Sequence, residues 1–268
     1  MSLFIGIPCF GGKVHAGFTQ SLLKLVTKLN EQKIDHNVSF LEHESLISRG
    51  RNTLIAKFYA DPKNRLCLML DSDLIFNPDA VLKMIQENKE LIGCPYPKKM
   101  VNWNKLKDFT NKNSWEKLEE QGLHCITDIN YNIMEKPDLK KSSVIEAFDI
   151  PTGFLLIKRS VISSMMISYP ERQYVNNIAG MDNNLQNWFF DFFGTGVVNG
   201  IYLSEDYYFC HLARQLGIKL FLETGYTFGH IGSFTYYGNL ALQLSRDEND
   251  ELNKDKVLLS NNKCTNTN

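Results

Sequence analysis

The sequence predicts an α/β fold, a single domain with a mostly parallel central sheet flanked by helices, and three observations predict it. Short apolar runs alternate with stretches of helical period through the first hundred residues. One of the runs, Leu66 to Leu70, is five unbroken apolar residues, the mark of a strand covered on both faces. That run ends directly in Asp71-Ser72-Asp73, which places two carboxylates where open α/β sheets collect ligands, outside the carboxyl ends of their strands.

The elements follow in order. Leu3 to Ile7 is a first strand, and Pro8-Cys9-Phe10-Gly11-Gly12 is a loop whose glycine pair allows close backbone approach to a ligand. It is neither a dinucleotide fingerprint nor a P-loop. Phe18, Leu22, Leu25, Val26 and Leu29 form the stripe of an amphipathic helix. Asn37 to Leu41 is the second strand. Leu46 to Ala60 is a helix opening with Ser48-Arg49-Gly50-Arg51-Asn52, whose cationic and amide donors suit a diphosphate, although a solvated basic turn has the same composition. After the acid motif, Asn77-Pro78 starts a helix through Val81, Leu82 and Ile85, and Leu91 to Cys94 is a fourth strand.

Residues 98–145 turn polar and lysine-rich, with Trp103 and Trp115 isolated among them, and read as an insertion. The α/β pattern resumes at residue 146, where Pro151-Thr152-Gly153 leads into the apolar strand Phe154 to Ile157 and a helix from Ser160. The aromatic run Trp188 to Phe193 suits either core packing or a platform for a sugar ring. Ser204 caps a helix through Phe209, Leu212, Ala213 and Leu216, stopped by Gly217, and Ile218 to Leu222 is a last strand. Gly229-His230-Ile231-Gly232 and a tyrosine-bearing segment close the domain near Ser245. Residues 246–268 read as a polar tail.

A chain of 268 residues with 22% charged and 43% hydrophobic residues can bury a full core, and a net charge of -1 gives no global reason to expect nucleic-acid binding. Six cysteines without a C-x-x-C pair indicate a reduced protein. No secretory leader or membrane-length apolar run is visible, so a cytoplasmic protein is expected.

Asp-Ser-Asp is also ordinary turn chemistry, but at a strand end two acids one residue apart can serve one hard divalent cation, whose usual companion is a phosphate-bearing substrate. Together with Ile7-Pro8, Ser48 to Asn52, Pro151-Thr152-Gly153-Phe154, Leu203-Ser204-Glu205-Asp206 and Gly229-His230, the motif resembles that of GT-A fold glycosyltransferases. The likeness is to the inverting family 2 style and its small viral and microbial relatives, and it runs in the family's order over residues 1 to 240. The resemblance implies a domain over 1–245, with a nucleotide-sugar half over 1–97 and an acceptor and catalytic half over 146–245.

It further implies a metal site of Asp73, Asp71 and His230 holding manganese or magnesium. The donor, a UDP- or GDP-sugar, would meet Pro8, Cys9, Arg49, Arg51, Asn52, Asp71 and Ser72. Thr152, Gly153, Phe154 and Trp188 would face a glycan or glycoconjugate acceptor. Asp206, seconded by Glu205, would act as general base, although acids in a helix's first turn also simply complement its dipole. A sugar-nucleotide nucleotidyltransferase and a non-catalytic carbohydrate-binding protein are the competing expectations.

Overall fold

The computed structural model of the chain describes residues 2–112, 126–129, 131–135, 137–178 and 182–245. Trp115, Cys125, Cys264 and the tail from Arg246 lie outside them. The first half is built from β1 (Ser2–Cys9), α1 (Ala16–Glu31), β2 (Asp35–Glu42), α2 (Ile47–Ala60), β3 (Asn64–Leu70), β4 (Leu74–Ile75), α3 (Asp79–Glu87) and β5 (Leu91–Gly93). The insertion supplies β6 (Pro97–Val101), α4 (Trp103–Lys112), β7 (Thr127–Ile129) and β8 (Asn132–Ile133). The second half adds β9 (Val144–Asp149), β10 (Phe154–Lys158), α5 (Arg159–Ser168), β11 (Gly196–Val198), β12 (Ile201–Leu203), α6 (Glu205–Gln215), β13 (Leu220–Glu223), β14 (Phe228–Ile231) and β15 (Thr235–Gly238).

An eight-stranded sheet in the order β2-β1-β3-β10-β5-β13-β9-β8 organises the domain. All of its strands run in one sense except β9 and β10, each antiparallel to both neighbours. Strand alternation divides β3 between two cores: Cys67 and Met69 face one side, Leu66, Leu68 and Leu70 the other. On the first side lie Leu54 and Phe58 of α2, Val161 and Met165 of α5, and Phe209 and Ala213 of α6. On the second lie Phe18, Leu22 and Leu25 of α1 with Val81 and Met84 of α3. This double cover is why the β3 run carries no polar alternation.

The sheet is mixed at its centre. Apolar runs do not reveal strand direction, and β10 enters antiparallel between β3 and β5, with Phe154 opposite Leu70 and Leu155 opposite both Met69 and Gly93. Its amino end therefore meets the carboxyl end of β3, and the ladder continues one bond further, from Asp71 N–H to Gly153 O at 2.8 Å. Gly93 permits the fit, because a Cβ there would lie 2.9 Å from the Phe154 carbonyl oxygen.

A smaller sheet, β15-β14-β4, stands beside the carboxyl end of β3 and pairs His230 with Leu74. Described residues of the segment read as an insertion pack against it: β6 pairs with β7, and the Thr127 hydroxyl donates to the Tyr237 carbonyl at 2.6 Å. Among the described residues no helix is long and apolar enough to cross a membrane. Cys9, Cys67, Cys94 and Cys210 are buried free thiols.

Phe154, expected on the acceptor side, is instead in the core. Its ring is fully buried, with centroids 5.1 Å from Phe76 and 4.8 Å from Phe228. Phe154→Ala is therefore expected to cost about 3–5 kcal/mol of stability in denaturant unfolding. A loss below about 1 kcal/mol would contradict this core role.

Candidate active site

The carboxyl ends of β1, β2 and β3 converge on a cleft of about 290 Å³, walled by Pro8, Phe10, Glu44, Ser45, Ile47, Gly50, Arg51, Asp71, Ser72, Asp73 and Glu205. Parallel pairing of β1 with β2 and β3 brings these ends to one edge of the sheet. The amino end of α2 forms one flank and that of α6 delivers Glu205, so two helix starts border the space.

At the base of the cleft the Arg51 side chain is 4% exposed. It donates to Asp71 Oδ1 at 3.0 Å and to the Thr152 carbonyl at 3.5 Å, and its Nε lies 3.7 Å from Glu205 Oε1. Burial works against the guanidinium charge, but the surrounding acids, Asp71 foremost and then Asp206, outweigh it and hold Arg51 protonated. Asp206 stands in the opposite situation. Burial and the adjacent Glu205 carboxylate, to which it is hydrogen-bonded, push its carboxyl up to about 7, against the pull of Arg51. Asp206 therefore titrates near neutral pH, and α6 presents both acids at its first turn.

Gly153 closes the floor. A Cβ at this position would fall 2.2 Å from Asp71 Oδ2 and 2.3 Å from the Tyr96 hydroxyl, so only glycine lets the two groups share the space. Burial and the carboxylates of Asp71 and Asp206 push the Tyr96 hydroxyl well up, which keeps it a neutral donor. Thr152 is fully buried and its Oγ1 has no hydrogen-bond partner among the described residues.

Asp73 occupies the other side of the motif. Lys99 of β6 donates to its Oδ2 at 2.5 Å, and His230 Nε2 lies 3.5 Å from its Oδ1. Burial opposes the Asp73 charge, but His230 and Lys99 together outweigh it and hold the carboxyl down at about 2. His230 Nδ1 is 2.8 Å from the Pro97 carbonyl, so Nδ1 carries the hydrogen that donates to it and Nε2 is the ring nitrogen that faces Asp73. The β4–β14 pairing and the bond from Ile231 N–H to the Asp73 carbonyl, 2.8 Å, fix this approach.

The remaining candidates are placed differently. Arg49 forms a bidentate pair with Glu44, both bonds at 2.7 Å, which fastens the first turn of α2 rather than leaving a free phosphate donor. Asn52 is buried and ties α2 to the aromatic segment: its amide donates to Asp191 at 2.8 Å, and its carbonyl accepts from the N–H groups of Phe192 and Phe193. Trp188 packs on Tyr59, ring centroids 5.0 Å apart, away from the cleft walls. Pro8 and Ser72 line the cleft, whereas Cys9 is buried behind it, its thiol pushed up to about 11 by burial. Asp71 turns to Arg51 instead of joining Asp73 and His230, and among the described residues no three His, Cys, Asp or Glu side chains are grouped to hold a metal ion. Phe10, Glu44, Tyr96 and Lys99 belong to the site and were not anticipated. Only Phe10, in the loop before the glycine pair, had a local signal.

No protein-family model and no curated protein matches the chain. Solved structures give remote likenesses. A197 from STIV is 14% identical with a TM-score of 0.46, covering 86% of this chain and 85% of that one. The 4-diphosphocytidyl-2C-methyl-D-erythritol synthase from Anaerococcus prevotii is 12% identical at 0.32, covering 70% and 82%. A candidate glucose-1-phosphate thymidylyltransferase from Bacillus anthracis, solved with sucrose, is 14% identical at 0.28 over the same shares. Likeness at this level carries no functional weight, which falls on the geometry of the cleft.

Two expectations follow from the floor and the acid pair. Gly153→Ala should lower stability by about 1–3 kcal/mol because backbone or carboxylate must move, whereas Thr152→Val, which removes an unpaired buried hydroxyl, should be neutral or stabilising; thermal unfolding of the two variants distinguishes them. For Asp206, a folded-state pKa raised from 3.8 to about 7 means the native state takes up a proton between these values, so stability present at low pH is lost as pH rises through 7. Asp206→Asn should therefore be more stable than wild type at pH 8, by on the order of 1–2 kcal/mol after allowance for its partial exposure, and nearly equal at pH 4. Equal midpoints at both pH values would show that the carboxyl is unstrained.

Proposed function

We propose that the chain is a GT-A type glycosyltransferase that moves a sugar from a nucleoside-diphosphate sugar to a hydroxyl acceptor. The observation that carries this reading is one cleft whose walls hold both Glu205, hydrogen-bonded to Asp206 behind it, and Asp73, with the His230 imidazole 3.5 Å from that carboxylate. One half suits deprotonation of an acceptor and the other suits a cation on a departing diphosphate.

Asp73 and His230 fit a divalent cation: one carboxylate and one imidazole whose Nδ1 is already spoken for, with the other positions left to phosphate oxygens and water. This donor set favours manganese over magnesium. When bound, such an ion supplies positive charge for the leaving diphosphate. Pro8, Phe10 and Ser72 border the nucleoside, and Arg51 keeps Asp71 and Glu205 in place from below.

Asp206 is the general base. As the acceptor oxygen bonds to the anomeric carbon, its proton passes to the Asp206 carboxylate, the bond from that carbon to the phosphate oxygen breaks, and the nucleoside diphosphate leaves with the electron pair. A base with a pKa near 7 matches this task at neutral pH, and a single displacement assisted by one base inverts the anomeric centre. Glu205 raises the affinity of Asp206 for that proton through its charge and their hydrogen bond.

The test is release of nucleoside diphosphate from UDP- and GDP-sugars with manganese. Asp206→Asn should reduce transfer by roughly 100-fold or more and abolish its rise through pH 7, while binding of nucleoside diphosphate changes little. Pyrophosphate chemistry instead of diphosphate release would identify a nucleotidyltransferase, and saccharide binding with neither would identify a binding protein.

A further inference from the structure

Lys99 is placed with more care than a surface lysine requires. Its side chain is 41% exposed, yet its stem lies along Gly232, where a Cβ would be 3.3 Å from Lys99 Cδ and 3.2 Å from the Tyr236 ring. Glycine at 232 thus leaves a trough that seats the stem and aims the ammonium at Asp73 Oδ2. Pro97, two residues earlier on the same strand, accepts the His230 Nδ1 hydrogen bond at 2.8 Å. One strand of the insertion therefore orients the imidazole and delivers the cation.

We propose that Lys99 is a transferable phosphate ligand: in the free protein its ammonium holds the Asp73 oxygen that a divalent cation would use, and on donor binding it passes to the diphosphate. The proposal rests on the donor site described above and adds to it a residue and an order of events. Lys99 must leave Oδ2 before that oxygen can hold a divalent cation. Once Asp73 is neutralised by such a cation, the diphosphate oxygens become the strongest anions within reach of a lysine on a flexible four-carbon stem. Metal and diphosphate then bind with positive coupling, because each favours the released state of the same side chain.

The experiment is calorimetric titration of manganese alone, and then of UDP and GDP onto the manganese-loaded protein, for wild type, Lys99→Gln and Lys99→Arg. Removing the competitor should tighten manganese binding by Lys99→Gln several-fold, whereas removing a charge-assisted phosphate contact should weaken its nucleoside diphosphate binding by about tenfold. Lys99→Arg should keep most of the diphosphate affinity. Opposite signs for the two ligands are the signature, since a purely structural lysine would weaken both or neither. Unchanged affinities in Lys99→Gln, with wild type binding the diphosphate, would overturn the role of Lys99 and leave the donor site standing. Absence of diphosphate binding in all three proteins would remove the donor site and the proposal together.

Discussion

The site depends on one buried cation. Arg51 sits beneath the cleft with Asp71 on one side and Glu205 on the other, and its charge is balanced by theirs. A guanidinium removed from water carries a desolvation penalty of several kcal/mol, recovered only when its partners are well placed. Here the partners come from different parts of the chain: Arg51 from α2, Asp71 from just after β3, Glu205 from α6 and the Thr152 carbonyl from the turn before β10. The arginine thereby joins the two halves of the domain at the point where chemistry is proposed. It also holds Asp71 away from Asp73, so that the two acids of one tripeptide face different charges and take different roles.

The antiparallel entry of β10 makes this convergence geometrically possible. A parallel strand at that position would direct its carboxyl end to the cleft, and the Pro151-Thr152-Gly153 turn would lie at the far edge of the sheet. With β10 reversed, the turn lands against Asp71, and the glycine leaves room for both the carboxylate and the Tyr96 hydroxyl. Local freedom at one residue and strand polarity over the whole sheet are thus joined at Gly153.

What the sequence made legible were features encoded locally. The apolar β3 run, the amphipathic stripes of α1 and α3 and the stop at Gly217 follow from periodicity and backbone preference, and their boundaries agree with the structure to within a few residues. The reversal of β10 was not legible, because an apolar run is the same read in either direction. Within the site, the acid motif and Glu205-Asp206 stood out as charges beside apolar segments. Phe154 misled because a motif places a residue along the chain and not on a face of the sheet. Arg49 and Asn52 misled because their partners, Glu44 and the Asp191 to Phe193 segment, are set by tertiary packing. Tyr96 and Lys99 gave no signal at all: each is an ordinary residue in a proline- or lysine-rich stretch until the sheet brings it beside a carboxylate.

The pairing of β14 with β4 makes the proposed cation site depend on the last part of the domain. His230 faces Asp73 only because it is registered opposite Leu74, and a slip of one residue would turn the imidazole to the other face of that small sheet. During synthesis the acid motif emerges early, but the strand that brings its imidazole comes close to the end of the domain. A chain cut after β13 contains every strand of the large sheet but lacks the imidazole. The proposed cation site would be the first feature lost if the hairpin that carries His230 frayed from its two-residue partner strand.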